Sequence, residues 1–301
     1  MAIVDKLNQL KADIRDAYDS VTEKGGIVPV NQNTHNIATA IDSIPTSPTF
    51  TSNGFANDSW ETIIAITEAG LAQEYYKAGD TKDIVLSSVT DTTEQGKNII
   101  GKTYSAVIVG FNKMNKTNGG LGKMTIMIIS KTAQEELNDW YVNVPRSFYS
   151  WAGAGRLQNW LNITVKASLP AVLQSHLVQC KQKYYNNYSG QVMELNSYVT
   201  IPNGYNLGLD YISGFTGVNS SENTIRDLHT EHTLDYFGDY GNRNNGFLKS
   251  FAQERYMAYL LADTTENWCY LYANGNLMQI LSNSTVSDEL ECYVLPIFTI
   301  G

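Results

Sequence analysis

Three hundred and one residues with 21 Lys+Arg against 30 Asp+Glu carry a formal charge of −9, a length that predicts two domains. With 43% hydrophobic residues the chain can bury a full core, yet no run of about 18 apolar residues is present to span a bilayer. An acidic chain with 17% charged residues also lacks the basic face that phosphate backbones require, so membrane insertion and nucleic-acid binding are both excluded as expectations.

The opening, MAIVDKLNQLKADIRD, is charged where an export signal would be apolar, which predicts assembly in cytoplasm. Ile3, Leu7, Leu10, Ile14, Ala17 and Val21 alternate four- and three-residue steps, a heptad seam. The 3.5-residue average predicts a helix that supercoils with a partner; the alternative is packing on a second helix of the same chain. Gly25-Gly26 stops this helix and Pro29 prevents its resumption. A shorter helix starts at Asn33 or Thr34, presents Ile37, Ala38, Ile41 and Ile44 on one face, and ends at Pro45. Residues 1–45 thus read as a helical attachment and oligomerisation module, and 46–57, small, polar and proline-containing, as a linker.

From Asp58 the periodicities are mixed. Residues 60–78 predict a helix with Ile63, Ile64, Ile66 and Leu71 inward, and 82–88 a strand. The apolar runs around Val107 to Phe111 and Met124 to Ile129 are short enough for buried strands. Residues 156–181 show helical spacing through Leu157, Trp160, Leu161, Val165, Leu169, Leu173 and Leu177, split by Pro170 into two helices. Residues 190–245 are turn chemistry throughout. Short strands resume at 268–273, 277–281 and 292–300, the first two forming a hairpin across Asn274-Gly275-Asn276. The expected fold class is α+β. Cys180, Cys269 and Cys292 are odd in number and far apart, which predicts buried thiols instead of disulfides or a zinc site.

Five segments carry a resemblance: DSWETIIAITEAGLAQEYYKAGD, AVIVGFNK, RLQNWLN with LPAVLQSHLVQCKQK, YFGDYGNR, and NWCYLYANG with ECYVLPIFTI. In this order they resemble domains of unknown function that recur in bacteriophage and prophage structural proteins and whose fold is similar to the C-type lectin and formylglycine-generating-enzyme fold. The resemblance covers residues 58–301. It implies a small twisted antiparallel sheet, two helices and long ligand-bearing loops. LNQLKADIRDAYDSVTEKGG with NTHNIATAIDSIP looks like a module placed ahead of tail and fibre domains in phages of Gram-positive hosts. Two departures stand out: family members commonly show Gly-Gly-Trp and Trp-Trp-x-Arg-Ser where this chain has Ser150-Trp151-Ala152-Gly153 and Arg255-Tyr256-Met257-Ala258-Tyr259. The resemblance implies a virion protein, non-enzymatic, homo-oligomeric and by fibre architecture trimeric. Such a protein contacts other virion proteins through its helices and a host-surface polysaccharide or protein through its loops. A capsid fibre or connector without receptor binding is the alternative.

No cofactor is expected. His229, His232 and Asp235, three apart, could hold a metal on a helix, but the spacing is not HExxH, so a solvated polar loop or capping segment is the expected reading and no metal is expected. Carboxylates such as Asp235 with Asp239, or Asp288 with Glu289 and Glu291, would suit a cell-wall glycan hydrolase only at the right separation. The candidate ligand-binding set is Tyr236, Tyr240, Asn242, Arg243, Asn244 and Asn245 in one loop, with Trp268, Tyr270, Tyr272, Asn274 and Asn276 around the hairpin. Flat apolar rings beside amide donors and acceptors match sugars and adaptable protein surfaces. Trp268, Tyr270 and Tyr272 alternate, so core packing on one strand face explains them as well.

Overall fold

The computed structural model describes residues 3–43, 48–93, 95–131, 139–145, 156–186, 191–202, 206, 234–235, 258–264, 268–273, 278–282 and 289–301; within these, residues 141–145, 184–186, 191–193 and 258–293 are described by backbone register alone. The chain divides into two compact units, Met1–Phe50 and Thr51–Gly301.

In the first unit α1 (Ile3–Glu23) ends where Gly25 takes φ 76° and the Gly26 amide donates back to Val21 O at 2.9 Å, a glycine cap of the expected kind. Asn33 caps a 3-10 turn, Thr34–Asn36, that leads into α2 (Ile37–Asp42). Tyr18, Val21 and Ala40 form the core, with Ile14, Val28 and Ile37 packed around it. The Tyr18 hydroxyl donates to Asn33 O at 2.7 Å, and Ser43 Oγ accepts from the Ile27 amide at 2.7 Å, so polar contacts close both ends of the reversal. The seam is therefore divided. Ile14 and Val21 pack with Ile37 and Ala40 of α2 and Ala17 is half-buried, whereas Ile3, Leu7 and Leu10 are exposed.

The second unit begins inside the segment expected to be linker. Phe55 is buried edge-on against Trp60 and Tyr76, at 5.9 and 5.7 Å between ring centroids. The Asp58 carboxylate accepts from the Ser52 hydroxyl, from the Asn53 amide at 2.6 Å and from the Tyr76 hydroxyl at 2.8 Å. Burial opposes ionisation of Asp58, but these donors and the Lys82 charge outweigh it and hold the carboxyl below its ordinary range. Residues 51–57 thus belong to the folded unit, because a small polar segment can be fastened by one buried carboxylate as well as by apolar packing.

Ser59 caps α3 (Trp60–Glu68), whose Ile63, Ile64 and Ile66 are buried. The helix expected to reach residue 78 stops here, since Gly70 adopts φ 80° and the Leu71 amide returns to Ile66 O; only the turn α4 (Ala72–Tyr75) follows. The strands are β1 (Thr81–Val85), β2 (Thr103–Lys116), β3 (Leu121–Ile129), β4 (Tyr141–Pro145), β5 (Cys180–Asn186), β6 (Gln191–Ser197), β7 (Val199–Thr200), β8 (Ala258–Thr264), β9 (Trp268–Ala273), β10 (Met278–Ser282), β11 (Glu289–Tyr293) and β12 (Ile297–Ile300). They run in the order β10-β9-β8-β5-β2-β3-β12-β7, with β1 on β2, β6 on β5 and β11 bridging β4 and β8. The ladders are antiparallel except for single parallel contacts of β8 with β5 and β11. Twelve strands joined among the described residues are more than the small sheet the sequence suggested. β6 and β7 in particular occupy a stretch that reads as loop. The architecture is α+β.

Met124 to Ile128 are buried at every position, so β3 is covered on both faces, with α3 packed on β3 and β12. Further along the chain, α5 (Arg156–Asn159), a π-helical stretch (Trp160–Val165) packed on β7 and α6 (Lys166–Ser168) run to Pro170, after which α7 (Ala171–Gln174), packed on α3, is the last turn. The helix expected to reach residue 181 is cut short by pairing: Leu177 bridges Ile300, the Val178 amide donates to Thr299 O at 3.0 Å, and Cys180 opens β5 as a buried thiol. Sheet contacts outweigh local periodicity here. The Trp160 indole donates to Lys97 O at 2.6 Å and its ring meets Trp140 edge-on at 6.3 Å; Trp140 in turn lies 5.4 Å from Tyr104. Asp91 fastens the neighbouring loop, accepting from the Thr93 and Lys97 amides and the Thr164 hydroxyl. Against the opposing effect of burial, those bonds hold its carboxyl below the ordinary range.

Candidate functional site

β2 is the strand on which the candidate loops are hung. Its apolar run VIVGF is interrupted by Gly110, and the ladder to β3 shifts register between Ile108 and Gly110 and again between Phe111 and Met114, with Asn112 at φ 53°. A bulge of this kind bends the strand and releases backbone groups from the ladder. The Phe111 amide is used outside it: it donates to Asp235 Oδ2 at 2.9 Å, while Lys113 Nζ pairs with Asp235 Oδ1 at 2.9 Å. Leu234 is buried against the same bulge. A Cβ built on Gly110 would stand 3.1 Å from Leu234 Cδ2 and 3.1 Å from Lys113 Cγ, so a side chain there would have to push one of these neighbours back by a few tenths of an ångström.

A second set of bonds ties this point back along the chain. The Leu234 amide donates to Asn206 O at 3.0 Å, and Asn206 is itself fully buried. Gln182 on β5 donates through Nε2 to Asn206 Oδ1 at 3.1 Å and to Ile201 O at 2.9 Å, and its Oε1 accepts from the Thr200 hydroxyl. A buried amide satisfied on both sides is a rigid post, because breaking any one bond leaves a desolvated group unpaired. Asn162 serves the π-helical stretch similarly, donating to Gln158 O and Val199 O and accepting from the Tyr198 and Val199 amides. Asn206 and Leu234 are thus tied to each other and to the described sheet, with residues 207–233 between them in the sequence and 236–257 following Asp235.

This geometry bears on the residues singled out from the sequence. Tyr236, Tyr240, Asn242, Arg243, Asn244, Asn245, Asn274, Asn276, His229 and His232 lie outside the described residues. Trp268, Tyr270 and Tyr272 fall at alternate positions of β9, opposite Ser282's neighbour Leu281 at Tyr270 and Gln279 at Tyr272 on β10, and Thr264, Leu260 and Ala258 on β8. The β9–β10 register closes across residues 274–277. Of the possible metal set only Asp235 is described, its Oδ2 accepting from the Phe111 amide and its Oδ1 paired with Lys113. Among the described residues no group of three His, Cys, Asp or Glu could hold a metal ion. Of the carboxylates considered for hydrolysis, Glu289 and Glu291 sit on β11 opposite Pro145 and Asn143 of β4, and Asp239 and Asp288 lie outside the described residues.

Gln182, Asn206, Leu234 and the Phe111 amide were not singled out in advance. A glycine interrupting an apolar strand run was the available signal for the bulge; nothing local marks Gln182 or Asn206, whose partners are distant in sequence. The arrangement ties Asn206 to β5 and Leu234 with Asp235 to β2. No family model, no curated protein and no solved structure matches the chain.

Proposed function

We propose that the chain is a structural virion protein of a tailed bacteriophage, a tail-fibre or baseplate adhesin. Its second unit, in this reading a C-type-lectin-like domain, binds a host-surface glycan or protein, and its two-helix unit attaches and oligomerises it. One observation carries the reading. Leu234 and Asp235, fastened on the β2 bulge, border segments 207–233 and 236–257 in the sequence, and the second of these holds three Tyr, three Asn and three Gly in 22 residues. Recognition residues commonly lie on segments fastened to a rigid scaffold. Tyr and Asn supply ring faces and amide groups suited to sugars or protein surfaces at small entropic cost. The sequence resemblance to phage structural domains adds the virion context.

The test is binding of the full chain to host cells. Replacing Tyr236, Tyr240 and Arg243 together by alanine is expected to lower cell binding at least tenfold with the melting temperature unchanged, as hot-spot aromatic and arginine residues do. Retained binding removes the loop assignment. A second reading, a capsid fibre or connector, is favoured by the exposed apolar half of α1, which suits docking on a particle. Antibodies against the second unit separate the two, because they block adsorption by an adhesin and leave a connector's phage infectious.

A further inference from the structure

We propose that α1 pairs with the α1 of a second copy of this chain in antiparallel orientation, through Ile3, Val4, Leu7 and Leu10. The proposal rests on the oligomerisation half of the reading above and is independent of the receptor half. These four side chains are 85%, 64%, 52% and 49% exposed, although Ile3, Leu7 and Leu10 belong to the same heptad spacing whose later members Ile14 and Val21 pack on α2, with Val4 beside it. α2, Val28 and Tyr18 already occupy the Val21 end of the seam. A partner helix therefore has only the first half of α1 to cover.

Charge decides the orientation. In a parallel, in-register pair the residue preceding a seam position meets the one five places later on the partner helix. That rule sets Lys6 against the second copy's Lys11, twice by symmetry, a like-charge contact on each side. In an antiparallel pair with Leu7 opposite the second copy's Leu10, residues flanking the seam meet their own class instead. Lys6 then faces Asp13 of the second copy, and Lys11 lays its methylene stem over Val4, which explains an apolar residue just beside the seam. Ile3 reaches the half-buried Ile14, completing the apolar row. Gln9 Nε2 donates to Asp13 Oδ1 at 2.8 Å, which orients that carboxylate on the flank where Lys6 would arrive. The pair is isologous, with each contact made twice about one two-fold axis.

At 1.5 Å per residue the 21-residue helix is about 32 Å long, and half of it engages. Such a contact is smaller than the roughly 1,200 Å² of a stable interface, so the dimer forms reversibly and gains from multivalent display.

Sedimentation velocity of the full chain over a wide concentration range tests it. Wild type is expected to show a monomer–dimer equilibrium. Lys6→Glu sets two carboxylates together in the antiparallel pair and weakens dimerisation about tenfold, while Lys6→Glu combined with Asp13→Lys restores it. A parallel pair gives the opposite result, since Lys6→Glu would then face Lys11 and strengthen association. Strengthening, no change, or a chain that is monomeric at every concentration overturns the proposal; far-UV circular dichroism verifies that each variant keeps its helix. Host-cell binding by the same variants reports on the receptor reading separately, because it depends on residues beyond 206.

Discussion

The two units solve the problem of burying apolar side chains to different degrees. In the second, Ile63, Ile66, Ile108, Ile126, Met127, Trp140 and Trp160 are all fully enclosed, and its polar posts Asp58, Asp91 and Gln182 each hold several partners. In the first, three residues form the core while four large apolar side chains of α1 face outward. A unit of about 50 residues buries a small share of its surface and is marginal by itself. The difference teaches that enclosure, not hydrophobic content, separates a self-sufficient unit from one built to be completed.

The sharpest way to break this contrast is Trp160→Ala. It removes a fully buried ring and the indole bond to Lys97 O, and is expected to cost about 3–5 kcal/mol, read as a lower urea midpoint of the second unit with α1 helicity unaffected. Tyr18→Ala ranks next, at about 3 kcal/mol by the same mechanism. Because the first unit has little stability to lose, limited proteolysis is expected to cut within residues 1–50 while the second unit keeps its midpoint. Equal loss in both would show that the units do not unfold separately. Acidification has the smallest effect. Asp58 and Asp91 are depressed in the folded state, so the unfolded chain takes up protons first as pH falls. Their contribution is complete above the ordinary aspartate range near about pH 4 and is lost on going below it. Urea midpoints measured across that range are expected to fall for wild type and to flatten in Asp91→Asn.

Local punctuation was readable in advance. Gly25-Gly26, Pro170 and the alternating strands around residues 274–277 end or join elements through backbone rules that act within a few residues, and the elements they bound are present. Where distant partners decide, local pattern misled: residues 175–181 keep helical spacing yet join the sheet because Ile300 and Thr299 lie beside Leu177 and Val178. The linker reading failed likewise, since Asp58 gathers Ser52 and Asn53 only once Tyr76 is adjacent. At the candidate site the loop composition was visible, but its anchor was not. The Gln182–Asn206 and Phe111–Asp235 contacts join residues 24 and 124 positions apart, and neither amide nor carboxylate announces such a partner.

β12 lies between β3 and β7, and the Thr125 and Thr299 hydroxyls that meet there are separated by 174 residues. Closing so long a chain segment is entropically costly and slows folding. A nascent chain that has emerged only as far as β10 can set β2 along one side of β3 but has no strand for the other, leaving Ile126 and Met127 without their neighbours Phe298 and Ile297. β3, covered on both faces, is thus among the last strands to gain its full set of contacts during synthesis, and until then its open edge is where a chaperone would find its hold.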